Sequence, residues 1–169
     1  MDAITLLRKQ HAEVKSLFAE FEKTDDLKKR QAIFEQIADD LAAHCEIEEK
    51  LFYPAIFIHT TIDLLKEAVE EHLSAKRVIA DLLDMAPSDS QYEAKVLVLK
   101  ELIEHHVKEE HEALFPKVRK AFPSSELKVL GQAMDRLFDE LIGRDPRKQV
   151  PSQTGSAAPL PAEEMAAPA

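Results

Sequence analysis

The sequence predicts an all-α protein: an up-down antiparallel four-helix bundle with an additional C-terminal helix and a disordered tail. Three observations carry this reading. Apolar residues recur at alternating steps of three and four through five long stretches, the period of a helix with one buried face. Leu, Ala, Glu and Lys dominate a chain that holds only 3 Gly, a composition of good helix formers. The breaks between stretches are short and polar, which makes consecutive helices antiparallel neighbours.

The first stretch, 2–23, carries Ile4, Leu7, His11, Val14, Phe18 and Phe21 in register, and Thr24-Asp25-Asp26 follows with turn and N-cap chemistry. The second, 27–57, places Phe34, Ile37, Leu41, His44, Glu48 and Phe52 on one stripe, with Pro54 near its end to kink or stop it. The third, 61–85, runs Ile62, Leu65, Val69, His72, Lys76, Ile79 and Leu83. Pro87 closes it, and Ser88 with Gln91, or Ser90 with Glu93, is placed to form a capping box for the next helix. The fourth, 91–121, runs Tyr92, Val96, Leu99, Ile103, His106, Glu110 and Ala113, with Pro116 near its end. The fifth, 124–143, shows Leu127, Leu130, Met134, Leu137 and Leu141 and stops at Gly143.

A chain of 169 residues suits one domain with a sizeable core. That domain spans 1–143, with the bundle in 1–121 and the extra helix in 124–143. The remainder, 144–169, holds five of the 9 prolines and many alanines. Its apolar surface is too small to offset ordering entropy, so it reads as disordered, or as ordered only by a partner. The net charge of -10 argues against nucleic acid, since phosphate binding needs clustered Lys and Arg. The chain has no run of eighteen apolar residues and so no membrane span. It opens directly into a helical pattern, and a cytoplasmic location is the default. Its single cysteine, Cys45, cannot form an internal disulfide. Nothing in the sequence sets an oligomeric state.

The anomaly lies on the core seam. His11, His44, Glu48, His72, Lys76, His106 and Glu110 all stand where a hydrophobe is expected. Ionisable groups converging in a core imply pairing or a metal. His44-x-x-x-Glu48 and His106-x-x-x-Glu110 each set an imidazole and a carboxylate one turn apart on one face. A lone seam histidine precedes each pair, His11 by 33 residues and His72 by 34. The chain thus reads as a duplicated helical hairpin, and Glu48-Glu49-Lys50-Leu51-Phe52-Tyr53-Pro54 echoes Glu110-His111-Glu112-Ala113-Leu114-Phe115-Pro116. Two facing half-sites offer four imidazoles and two carboxylates, enough for two redox-active ions with two nitrogens each. Imidazole suits Fe, Zn, Cu and Ni, bridging carboxylates favour iron or manganese, and the histidine-rich set tilts toward iron.

The pattern His, His-x-x-x-Glu, His, His-x-x-x-Glu resembles the hemerythrin-like (HHE cation-binding) family over roughly residues 1–120. The resemblance implies two non-haem iron ions, oxo- or hydroxo-bridged, in an up-down bundle. It further implies Glu48 and Glu110 as bridges, with His11, His44, His72 and His106 as terminal ligands. Oxygen-carrying members have a fifth histidine one turn after the third-helix ligand, where this sequence has Lys76. The four-histidine members are similar instead to peroxide-decomposing, nitric-oxide-responsive or iron-handling proteins. Tyr53, five residues after Glu48, is placed to fill the vacancy as a phenolate ligand or a hydrogen-bond donor, or else to pack.

Three functional readings follow. The first is an oxidoreductase, catalase-like or peroxidase-like, that decomposes hydrogen peroxide; the missing histidine leaves a coordination position for an exogenous ligand. Tyr53 and Lys76 are its candidate catalytic groups, Tyr53 for proton transfer, while Lys76 also reads as a snorkelling or ion-paired side chain. The second is a store or sensor that binds O2 or NO. The third is an iron donor or iron–sulfur repair protein. Cys45 reads as a small packing residue pointing away from the seam, His105 and His111 as solvated or as partners behind a ligand, and His59 as an ordinary turn residue. The Glu-rich stretches 46–49, 70–71 and 109–112 read mostly as helix surface, with a few placed to hydrogen-bond ligand imidazoles.

Overall fold

A computed structural model describes residues 1–158 of the chain. Among them there is no strand; the elements are helices α1 (Ala3–Lys23), α2 (Leu27–Ile47), α3 (Tyr53–Ala55), α4 (Ile62–Leu83), α5 (Tyr92–Glu109), α6 (Phe115–Ala121) and α7 (Ser124–Ile142). Two π-helical turns, Glu48–Phe52 and Glu110–Leu114, join α2 to α3 and α5 to α6, and a 3-10 helix follows at Pro146–Gln153. Asp2 and Asp26 cap α1 and α2 by accepting from the amides of Thr5 and Lys29, which satisfies donors the first turn leaves open. The capping box expected before α5 does not form; Asp89 accepts from the Gln91 amide instead, at 2.8 Å.

The buried side chains fall into two hydrophobic clusters. One gathers Ile4, Leu7, Ile47, Phe52, Leu65, Val69, Leu114, Phe115 and Met134, and the other Val14, Phe18, Phe34, Ile37, Ile79, Leu82, Tyr92 and Leu99. Along α1 and α4 the chain passes from the first cluster to the second, and along α2 and α5 it returns. The bundle is therefore up-down. Where each helix crosses from one cluster to the other it carries its buried polar residues: Gln10 and His11, His44 and Glu48, His72 and Lys76, His106 and Glu110. A polar layer is thus held between two apolar blocks.

Helix α7 packs across α1 and α2. Its Gly131 lies so close to the N-terminus that a Cβ there would meet the backbone of Asp2 and Ala3 at 2.6 Å. Residues 144–158 correct the expectation of disorder. Asp145 adopts a left-handed conformation, φ 49°, and turns the chain back along α2 and α4. Arg147 then donates to Asp39 from its guanidinium and, at 3.0 Å, from its backbone amide, while Val150 is fully buried in the second cluster. Buried Pro146 and Val150, with Arg147 paired to Asp39 and Glu35, hold a segment that carries no helical periodicity. The rest of the expected tail, 159–169, lies outside the described residues. No helix among the described residues is long and apolar enough to cross a membrane.

Candidate metal centre

All six expected ligands converge in the polar layer, and all are buried. Nε2 of His11 faces Nε2 of His44 at 3.1 Å, and Nε2 of His72 faces Nε2 of His106 at 3.2 Å. Glu48 Oε2 lies 3.2 Å from both His44 Nε2 and His72 Nε2, one ring from each pair. Glu110 also reaches both pairs, with Oε2 3.3 Å from His11 Nε2 and Oε1 3.8 Å from His106 Nε2. Two groups result, His11-His44-Glu48-Glu110 and Glu48-His72-His106, whose donor atoms lie within 4.8 Å of one another in each.

Each imidazole is anchored from outside through Nδ1. The partners are Gln10 Oε1 for His44 at 2.8 Å and His111 Nε2 for His11 at 2.9 Å. Glu49 Oε1 holds His72 at 2.9 Å and Glu71 Oε2 holds His106 at 2.6 Å. Gln10, Glu49 and Glu71 accept the Nδ1 proton and so aim Nε2 of His44, His72 and His106 inward, while either ring of the His11–His111 pair can be the donor. Sequence reasoning left these outer partners open. Helical spacing carries the signal: Gln10 adjoins His11 and Glu49 adjoins Glu48 in the chain, while Glu71 adjoins His72.

The two π-turns begin at the two glutamates. Their wider ring is closed by Tyr53 N–H to the Glu48 carbonyl and Phe115 N–H to the Glu110 carbonyl, each five residues back. Such turns are frequent at functional sites. Here they carry the aromatic residue after each turn back to the polar layer. Tyr53 stacks on His72, with ring centroids 5.6 Å apart, and Phe115 stacks on His11 at 6.1 Å. The Tyr53 hydroxyl lies 3.2 Å from Glu48 Oε2, from Glu110 Oε1 and from His72 Nε2.

The charges differ between the two pairs of rings. Burial lowers His11 to about 4 and also lowers His44. Burial acts the same way on His72 and His106 but is outweighed: Cys45, then Glu48 and Glu49, hold His72 well above its ordinary range, and Glu110, Glu48 and Glu71 raise His106 to about 10. Burial and the neighbouring Glu48 charge push Glu110 up to about 7. Burial and the charges of Glu48 and Glu110 push the Tyr53 phenol well above 10, so it keeps its proton.

The arrangement fits a metal. Four Nε2 atoms that face one another in pairs at 3.1–3.2 Å, beside both carboxylates, are placed to donate to ions lying between them. Glu48 Oε1 and Glu110 Oε2 are buried with no hydrogen-bond partner, a costly state unless a cation accepts them. Imidazole and carboxylate together make a nitrogen and oxygen donor set suited to first-row metals.

The other expected residues fall as follows. Lys76 stays one step outside the ligands: its ammonium binds Glu49 at 3.0 and 3.2 Å and faces a cleft of about 350 Å³ beside residues 152–158. Its observed partner is Glu49, itself the anchor of His72, and so Lys76 meets the centre through that carboxylate. Cys45 does not point away. With Val14, Leu41, Ile103 and Val107 it lines a void of about 20 Å³ against all four ligand imidazoles. His111 is a partner of His11 rather than a solvated residue. His105 is exposed and meets Glu71 at 3.1 Å, within an outer group with Glu67 and Glu109.

Comparison with known proteins agrees with this geometry. The profile described as hemerythrin HHE cation binding domain matches residues 2–118. A crystal structure of a hemerythrin HHE cation-binding domain-containing protein from Mycobacterium kansasii superposes with a TM-score of 0.76 at 26% identity, over 85% of this chain and 88% of that one. A protein named DNA nickase from Nostoc is 29% identical over 126 residues; the match takes in 75% of this chain but spans only 36% of that relative. With the profile covering most of its length, the chain belongs to the hemerythrin HHE cation-binding domain family.

Proposed function

We propose that the chain is a two-iron protein that reacts with small oxidants, and that hydrogen peroxide is its substrate. The carrying observation is the Tyr53 hydroxyl, which lies 3.2 Å from an oxygen of each carboxylate and from an imidazole nitrogen. When bound, a pair of irons supplies two electrons to cleave one peroxide to water and recovers them from a second peroxide that leaves as O2. The net change is two H2O2 to two H2O and O2, which requires protons to move from one peroxide to the other. Tyr53 gives its phenol proton to the first peroxide, and Glu110, whose Oε1 lies 3.2 Å away, takes up a proton released by the second peroxide and returns it to the phenol oxygen. Glu48 and Glu110 span the two positions, while the outer partners fix the rings. Bundle packing excludes bulk water.

Oxygen evolution by the iron-loaded protein tests this. A rate equal to that of free iron, and unchanged by His106→Ala, would end the enzymatic reading. A second reading, binding of O2 or NO, is favoured by the void over the imidazoles, whose walls beyond the rings are Val14, Leu41, Cys45, Ile103 and Val107. Its size admits one molecule no larger than a water or a diatomic. Reversible spectral change on deoxygenation, with no turnover of peroxide, would move the assignment there. DNA nicking belongs by name to the Nostoc relative; the net charge of -10 disfavours binding to phosphate here, and a supercoiled plasmid left intact by the metal-loaded protein would agree.

A further inference from the structure

The pseudo-repeat gives each half of the centre the same ligand types, but the atoms behind those ligands differ. His72 and His106 are both anchored by carboxylates, Glu49 and Glu71. His44 and His11 are anchored by an amide and an imidazole, Gln10 and His111. A carboxylate behind a ligating histidine makes the ring a stronger donor, and removing such a partner weakens metal binding by roughly 10–100-fold. Lys76 offsets one of the two outer carboxylates, which leaves one negative charge in excess on that side. On the other side the cation Arg8 lies 5.5 Å from the Phe115 ring centroid and acts on His11. The oxygen of Tyr53 lies beside His72, whereas its counterpart Phe115 offers His11 none. Glu48 and Glu110 reach both pairs and so do not offset these differences.

We infer that the two metal positions are unequal: the His72/His106 position binds its ion first and holds it more tightly, because Glu49 and Glu71 anchor its imidazoles. The inference rests on the two-ion reading above. Glu49 and Glu71 act here as positioning residues, through the rings and not on a substrate. A weak chelator accordingly strips one ion, that of His11/His44, and leaves the other.

Titration of the full-length metal-free protein with Co2+, followed by calorimetry and visible absorption, tests this without reference to turnover. The expected result is two steps whose Kd values differ by roughly 10–100-fold. His106→Ala removes the first step and His44→Ala the second. Glu71→Gln weakens the first step by about tenfold or more and leaves the second in place. Gln10→Glu acts on the opposite side, tightening the second step and narrowing the gap, and decides the matter if Glu71→Gln fails to fold. Two ions bound in one indistinguishable step, or a first step unmoved by Glu71→Gln, overturn the inequality and leave the two-ion reading intact. A single ion per chain that is lost in His106→Ala overturns the two-ion reading and supports the stronger position. A single ion retained in His106→Ala overturns both.

Discussion

Replacing Tyr53 by Phe deletes one oxygen atom from the middle of the centre. The repeat already contains the control, since Phe115 occupies the equivalent place and stacks on His11 as Tyr53 stacks on His72. A phenyl ring therefore fits, and the variant should fold and load metal as the wild type does. What it loses is a hydroxyl 3.2 Å from each of three ligands. In the metal-free protein that removes a hydrogen bond to a carboxylate, a loss of about 1.5–3 kcal/mol. In turnover it removes a positioned proton donor, worth about 10²–10⁴-fold in rate. The assay is oxygen evolution from peroxide with iron content determined on the same sample, and the fall should appear in kcat rather than KM. Tyr53→Phe at full iron loading with undiminished kcat would refute the role given to the phenol.

Three further outcomes are expected. Gly131→Ala forces a Cβ against the backbone of Asp2 and Ala3, so stability falls by about 1–3 kcal/mol and Tm by about 2–4 °C for each of these; an unchanged melting curve would remove the close docking of α7 on the N-terminus. Asp40 is raised from 3.8 to about 6 by burial and by the charges of Glu13 and Asp39, so the folded state is penalised progressively as pH rises from 3.8 to about 6 and fully above it. Asp40→Asn should thus stabilise the protein at pH 8 and have its smallest effect near pH 4; the whole shift is worth about 3 kcal/mol, reduced to about 1 kcal/mol by the partial exposure of the site, and denaturant melts at the two pH values measure it. Arg147→Ala removes the ion pairs to Asp39 and Glu35, and limited proteolysis should then cut within 144–158 faster than in the wild type; equal cutting would show that the guanidinium does not hold the segment.

The bundle and its six ligands were legible because helical periodicity makes a polar residue on an apolar seam conspicuous. Four histidines and two glutamates at matched spacing leave few other arrangements. Lys76 sits on the same seam, but its long side chain carries the charge outward to Glu49, and a position on a stripe does not say how far a flexible chain reaches. Cys45 escaped because a ligand next to it in sequence suggests divergent directions, whereas bundle packing brings the void to both residues. Which residues anchor the rings was not legible individually: Glu49 and Glu71 lie in acidic stretches that point to such contacts in general, but each partner, like Gln10, is fixed by a neighbouring helix. Residues 146–153 carry no period at all, only Val150 and Arg147 against partners far away in the chain.

The two π-turns have a consequence for how the repeat can change. Residues five apart in an uninterrupted α-helix are out of phase by about 140°, so an aromatic at that offset from the glutamate would leave the face on which the histidine and glutamate lie. The turns at Glu48–Phe52 and Glu110–Leu114 absorb one surplus residue and bring Tyr53 and Phe115 back into phase. Each hairpin is indexed twice, once upstream of its glutamate and once downstream. Deletion of a single residue within 50–52 or 112–114 would remove the surplus and leave the aromatic in phase, four residues from its glutamate in a plain α-helix. A further insertion there would break that second index, rotating the aromatic and everything after it while sparing the ligands before it. Since both halves carry the shift, it is a property of the repeat itself, and the contrast between Tyr53 and Phe115 is a difference written onto it.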